Sequence, residues 1–102
     1  MVMDWMYQFT CSDGSVYQVP VSVIALNRAE NYADEFGDDV ERSLAEDTIP
    51  LFKGDMYEIQ DWARNNMDWD DVKVHATKVS DAVELNMQNE WNNGDINVVK
   101  NE

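Results

Sequence analysis

From Val16 to Phe36 the chain passes from a short β-forming run through Pro20 into one amphipathic stretch, the most regular pattern it contains. Val21, Ala25, Ala29, Tyr32 and Phe36 recur at steps of three and four, the spacing of a single helical face. Glu30 and Asp34 fall on the opposite side. Pro20 suits the first turn of a helix, where its missing N–H is not needed. Gly37 supplies the C-terminal stop.

The flanking segments set the fold class. Met3 to Thr10 is rich in aromatics, alternates loosely and reads as a strand. Ser12-Asp13-Gly14-Ser15 is a turn sequence, and Val16 to Val19 pairs back to give a hairpin. Asp38 to Glu46 reads as a second, shorter helix with Val40 and Leu44 inward and Asp38 or Asp39 as its cap. Ile49-Pro50-Leu51-Phe52 reads as an extended connector, because the residue before proline avoids helix. Asp55-Met56-Tyr57-Glu58 has the form of a capping box, followed by a third helix to Asn66 with Ile59, Trp62 and Ala63 inward. Val72 to Val79 fits both periods, and its three valines and a threonine favour a strand. A last hairpin leads in over Val83 to Trp91, turns at Asn92-Asn93-Gly94-Asp95 and leads out over Ile96 to Lys100. The expectation is one α+β domain over residues 1–102, a small antiparallel sheet from N- and C-terminal hairpins with about three helices packed on one face.

Charge narrows the classes of function. Acidic residues number 21 against 7 basic ones, for a net charge of −14. Such a chain repels nucleic-acid phosphates and anionic membranes, and its natural partners are basic surfaces. Net acidity that serves solubility alone is the plain alternative. Cys11 is the one cysteine, so no internal disulfide forms and a reducing cytoplasm suits the chain. The first residues lack the basic and apolar blocks of a signal peptide, and no apolar run is long enough to span a bilayer. The expected location is the cytoplasm, that of a host cell if the protein is made there.

Four constellations bear on chemistry. The first is the acidic series Glu30, Asp34, Glu35, Asp38, Asp39, Glu41, Glu46 and Asp47, interrupted by Arg42. On a helix Glu30 and Asp34 stack about 6 Å apart, a repulsion of some tenths of a kcal/mol. Such spacing suits a partner's Arg and Lys residues, and a solvated helix face is its plain reading. The second is Asp68-Trp69-Asp70-Asp71. Three carboxylates in four residues suggest Mg²⁺ or Ca²⁺, yet the loop fails the EF-hand pattern, with Lys73 at the glycine position and Val79 at the final glutamate position. Aspartates that cap the next element, with Trp69 in the core, fit better; Trp69 as an aromatic anchor for a partner is the other reading. The third is His75 and Cys11, read as a surface histidine and a small strand-end residue. The fourth is the set Trp5, Trp62, Trp69 and Trp91, whose acidic neighbours argue against single-stranded nucleic acid.

With Asp61-Trp62-Ala63-x-Asn65-Asn66-Met67-x-Trp69-x-Asp71-Val72 and Trp91-x-Asn93-Gly94 in view, the chain resembles small acidic accessory proteins encoded by bacteriophages, many without an assigned activity. That resemblance implies inhibition of host defence or of host nucleic-acid enzymes, in some cases by imitating DNA. The leading expectation is a non-enzymatic, cofactor-free inhibitor or modulator that covers a basic, nucleic-acid-binding surface of a host protein. Glu30, Asp34, Asp38, Asp39 and Glu41 would form one patch, and Asp68, Trp69, Asp70 and Asp71 a second, accepting charge-assisted hydrogen bonds. The rival is an assembly component that self-associates through the sheet edge of the terminal hairpin. A metal-dependent enzyme using Asp68–Asp71 comes third.

Overall fold

The computed structural model describes residues 2–12, 14–78 and 87–99. β1 (Met6–Thr10) and β2 (Val16–Pro20) form the expected antiparallel hairpin, in register from Met6↔Pro20 to Thr10↔Val16. Successive side chains alternate between faces, so Tyr7, Phe9 and Val19 gather on one side, fully buried. Gln8 and Gln18 meet on the other, where the Gln8 amide donates to Gln18 at 3.1 Å. β4 (Asp95–Val99) pairs antiparallel with the far side of β1, and the two-residue β3 (Thr77–Lys78) with β2, giving the order β3-β2-β1-β4. Helices cover the Tyr7–Phe9 face, and the fold is α+β.

β2 runs straight into α1 (Val21–Tyr32), with Pro20 as the extended residue before the first turn rather than within it. Val21, Ala25 and Ala29 are buried as their spacing predicts, and Ile24 and Ala33 join them. Tyr32 is half-buried because its ring turns to Trp62, 5.8 Å between centroids, with the Arg28 guanidinium 4.6 Å from the Tyr32 ring centre. The helix tightens into a 3-10 turn over Ala33–Phe36 and ends at Gly37, whose φ of 68° is left-handed. A 3-10 turn eclipses residues three apart, so Asp34 does not stack one α-turn above Glu30 as an unbroken helix would place it.

From Val40 to Gly54 the chain is helical: α2 (Val40–Ser43), a π-helical turn over Leu44–Thr48, and α3 (Ile49–Gly54). Asp39 caps α2, accepting from the Arg42 N–H at 3.1 Å. The extended connector expected at Ile49–Phe52 is therefore overturned. Proline cannot donate to the carbonyl four residues back. The ladder widens just before it, with the Ile49 N–H reaching Leu44 O, and Pro50 sits in the first turn of α3 where no donor is missed. Arg28 fastens the wide turn to α1, donating to Asp47 at 2.9 Å and Thr48 at 3.0 Å. Phe52 is thereby fully buried.

Asp55 accepts from the Tyr57 N–H at 3.0 Å, while the Glu58 N–H donates to the Asp55 carbonyl; the capping box expected there is an Asx turn. α4 (Tyr57–Asn66) buries Ile59 and Ala63, and the Trp62 Nε1–H donates to Asn27 at 2.9 Å. A reciprocal capping box forms instead at Asp68 and Asp71, opening α5 (Trp69–Val72). That cap overrides the β-propensity of Val72–Val79. A 3-10 turn follows over Lys73–His75, Val74 is 77% exposed, and Thr77–Lys78 is strand; Val79 lies outside the described residues.

The C-terminal hairpin is also corrected. Met87–Asn93 is a helix, α6, so the second half of the expected lead-in strand is helical, and β4 pairs with β1; residues 83–86 and Lys100 lie outside the described residues. Asn92-Asn93-Gly94 ends a helix, with the Gly94 N–H donating to Glu90 O at 2.8 Å. Trp91 decides the matter. As helix it drops under β1, fully buried, with its ring 5.4 Å from Tyr7 and 5.5 Å from Phe9.

Tyr7 carries a pH signature. Burial pushes its phenol up from 10.0 to about 12, and the neighbouring Arg64 pulls it partly back. The unfolded chain ionises first, so this stabilisation is whole below pH 10 and is lost as pH rises from 10 through 12. Stability should fall by about 2–3 kcal/mol across that window from this group. Urea midpoints measured against pH check it, with Tyr7→Phe expected to remove this part of the alkaline loss.

Candidate functional site

Glu30, Asp34, Asp38, Asp39 and Glu41 are all exposed, as are Asp68, Asp70 and Asp71. They are not equivalent. Asp38 has φ 65°, a left-handed backbone that aspartate tolerates better than most residues. Asp39 caps α2. Glu30 and Asp34, at the end of α1 and in the 3-10 turn after it, and Glu41 in the first turn of α2 perform neither task. Much of the basic complement is committed within the fold. Arg28 holds Asp47, Arg42 pairs with Glu46, Lys73 with Asp70 at 3.0 Å, and Arg64 donates to the Gly94 carbonyl. The outward charge of α1 and its extension is left acidic.

One feature joins the two acidic stretches. Val23, Leu26, Asn27 and Glu30 follow steps of three and four on α1, a second stripe beside the buried one. This stripe faces the corner between α4 and α5, where Met67, Asp71 and His75 complete a shallow groove of about 280 Å³. The groove is apolar through Val23, Leu26 and Met67 and acidic at Glu30 and Asp71. Leu26 is 40% exposed. An Arg or Lys side chain matches this chemistry, its stem on the apolar lining and its head at the carboxylates. Asp34, Asp38, Asp39 and Glu41 do not line the groove; they continue the acidic surface along the chain beyond α1. Val23 and Leu26 are apolar residues off the core stripe, and that spacing is the signal by which the sequence marks this second stripe.

The Asp68–Asp71 segment is occupied by backbone work. The Asp71 carboxylate accepts from the Asp68 N–H at 2.8 Å as half of the capping box, and Asp70 takes Lys73. Trp69 is half-buried, its ring edge-on to Phe9 and Tyr17 with both centroids at 5.8 Å. It packs against the core cluster and keeps part of its surface outward. Among the described residues no three His, Cys, Asp or Glu side chains are grouped to hold a metal ion.

A buried carboxylate that the sequence did not single out is Glu90, 7% exposed on α6. It accepts from the Ser12 N–H at 2.8 Å and the Ser12 hydroxyl at 2.7 Å. Both oxygens are used to clamp the β1–β2 loop onto α6. Cys11 beside it is 4% exposed. The contribution of Glu90 is to hold the hairpin in place.

Among the described residues, no helix is long and apolar enough to cross a membrane. Compared with protein-family models, with curated proteins and with solved structures, the chain shows no match.

Proposed function

We propose that this protein is a non-enzymatic inhibitor or modulator that binds the basic surface of a partner protein, a surface that otherwise takes nucleic acid. It would act in the cytoplasm, that of a bacterial host if the gene is a phage's, in the manner of an anti-defence protein that imitates nucleic acid. The reading is carried by the groove between α1 and α5. There one carboxylate from each acidic stretch, Glu30 and Asp71, flanks an exposed leucine, the arrangement that takes a basic side chain of a protein rather than a phosphate. The net charge of −14 adds long-range attraction to basic surfaces and repulsion from nucleic acid itself.

The test is capture of partners from bacterial lysate by the wild-type chain and by Glu30→Lys/Asp34→Lys. These two positions are exposed and free of capping and left-handed backbone roles, so the variant should keep its fold. Capture is expected to fall at least about tenfold, with a larger loss at low salt. Equal capture by a folded variant would remove the acidic patch from the interface.

A further inference from the structure

Asn93–Gly94 is the one Asn-Gly pair in the chain, and it sits where α6 crosses into β4. Asn93 is the last residue of α6 and is exposed, whereas Gly94 is buried. An asparagine followed by glycine is open to an intramolecular reaction, because no Cβ on the second residue shields its nitrogen. The Gly94 nitrogen bonds to the side-chain carbonyl carbon of Asn93, and its proton leaves with the side-chain nitrogen as ammonia. Water then opens the cyclic imide at either carbonyl. One product is aspartate; the other is isoaspartate, with the main chain rerouted through the side chain. In the fold both nitrogens are committed. The Gly94 N–H donates to Glu90 O at 2.8 Å. The Asn93 amide donates to Asn89 O and Asn89 Oδ1, both at 3.0 Å. The nitrogen must leave its hydrogen bond to swing over the side chain, and the backbone has no room to turn: a Cβ at Gly94 would lie 2.7 Å from both Glu90 O and Thr10 O.

We propose that Asn93–Gly94 is a deamidation site that the packing of α6 and β4 holds unreactive, and that the reaction, once the crossing opens, loosens β4 from β1 for good. The rate is then set by local opening of α6 and β4. Neither product fits back into the crossing. Isoaspartate adds a methylene to the main chain just ahead of β4, whose pairing with β1 begins at Thr10↔Asp95. Aspartate turns a carboxylate toward the two Asn89 oxygens that the amide had donated to, at the helix end where negative charge is least welcome. It also adds a third carboxylate to the cleft of about 340 Å³ that Ser12, Glu90 and Asp95 line with Asn93. None of these residues lines the acidic groove between α1 and α5, so the inference stands apart from the proposed function.

Peptide mapping of the whole chain after incubation at mildly alkaline pH, over rising urea, tests the site. Conversion at Asn93 should climb with urea and run at least about tenfold faster in the unfolded chain than in the folded one. Trp91→Phe, which loosens α6, should speed conversion at least about fivefold at a urea concentration where both proteins are still folded. The deamidated protein, separated from its parent by the added charge, should melt at a lower temperature. Its β4 amides should exchange with solvent at least about tenfold faster. No conversion in the unfolded chain overturns the site. Conversion that is indifferent to urea, or no faster in Trp91→Phe than in the wild type, overturns control by the fold. A deamidated protein with the parent's melting curve and β4 protection overturns the loosening of the strand.

Discussion

Trp91→Ala should cost about 4–5 kcal/mol of folding stability, the largest effect of any single side-chain truncation in the molecule. Trp91 is fully buried in the core: its relative exposure is 0% and its ring contacts both Tyr7 and Phe9. Truncation leaves a void between β1, α4 and α6 that these elements cannot close without moving the sheet. A second loss accompanies it. The Trp91 Nε1–H donates to the carbonyls of Ala63 at 3.2 Å and Met67 at 3.1 Å, satisfying acceptors at the end of α4. A domain of this size has about 5–15 kcal/mol in total, so the variant should be close to unfolding at room temperature. Trp91→Phe restores most of the apolar volume but not the donor, and should cost about 2 kcal/mol. Urea denaturation of the three proteins reads both terms. A loss below about 1 kcal/mol for the alanine variant would mean that α6 does not pack as described.

Gly94→Ala should cost about 3 kcal/mol, although it adds one methyl group. A Cβ at Gly94 would lie 2.7 Å from Glu90 O and 2.7 Å from Thr10 O, both backbone atoms that a side-chain rotation cannot clear. The crossing of α6 into β4 is this tight because the Gly94 N–H ends α6 on Glu90 O and its carbonyl accepts from Arg64. Gly37 offers the contrast. It has open space around its Cβ position but φ +68°, so Gly37→Ala should cost about 1 kcal/mol, the conformational penalty alone. Thermal melts that rank Gly94→Ala well below Gly37→Ala support close approach as the cause. Equal costs would place the strain elsewhere.

Local signals made part of the fold legible. The N-terminal hairpin, the buried stripe Val21–Ala25–Ala29, the stop at Gly37, the Asp39 cap and the inward face of α4 all rest on spacing or turn chemistry within a few residues. In each misreading one local preference met a competing signal, sometimes next to it in the chain and sometimes far from it. Pro50 argued against helix, and a widened turn removed the conflict while burying Phe52. Val72 and Val74 argued for strand, and the Asp68–Asp71 capping box started a helical turn. Asn93-Gly94 suits a hairpin, and the burial of Trp91 and the pairing of β4 with β1 made it a helix end. The candidate site divides in the same way. Exposure of the acidic residues followed from their charge, but the meeting of Glu30 with Asp71 in one groove depends on α1 packing against the α4–α5 corner. The edge-on packing of the Trp69 ring on Phe9 and Tyr17 likewise depends on where α5 meets the hairpin.

If the acidic face occupies a nucleic-acid-binding surface, DNA should compete with it for the partner. Partners captured on the immobilised protein from bacterial lysate would be challenged first with salt and then with duplex DNA. A nucleic-acid-binding protein that both treatments release is expected, because DNA and the acidic groove would claim the same basic surface. Capture that DNA leaves untouched, or recovery of the bait alone, would contradict it.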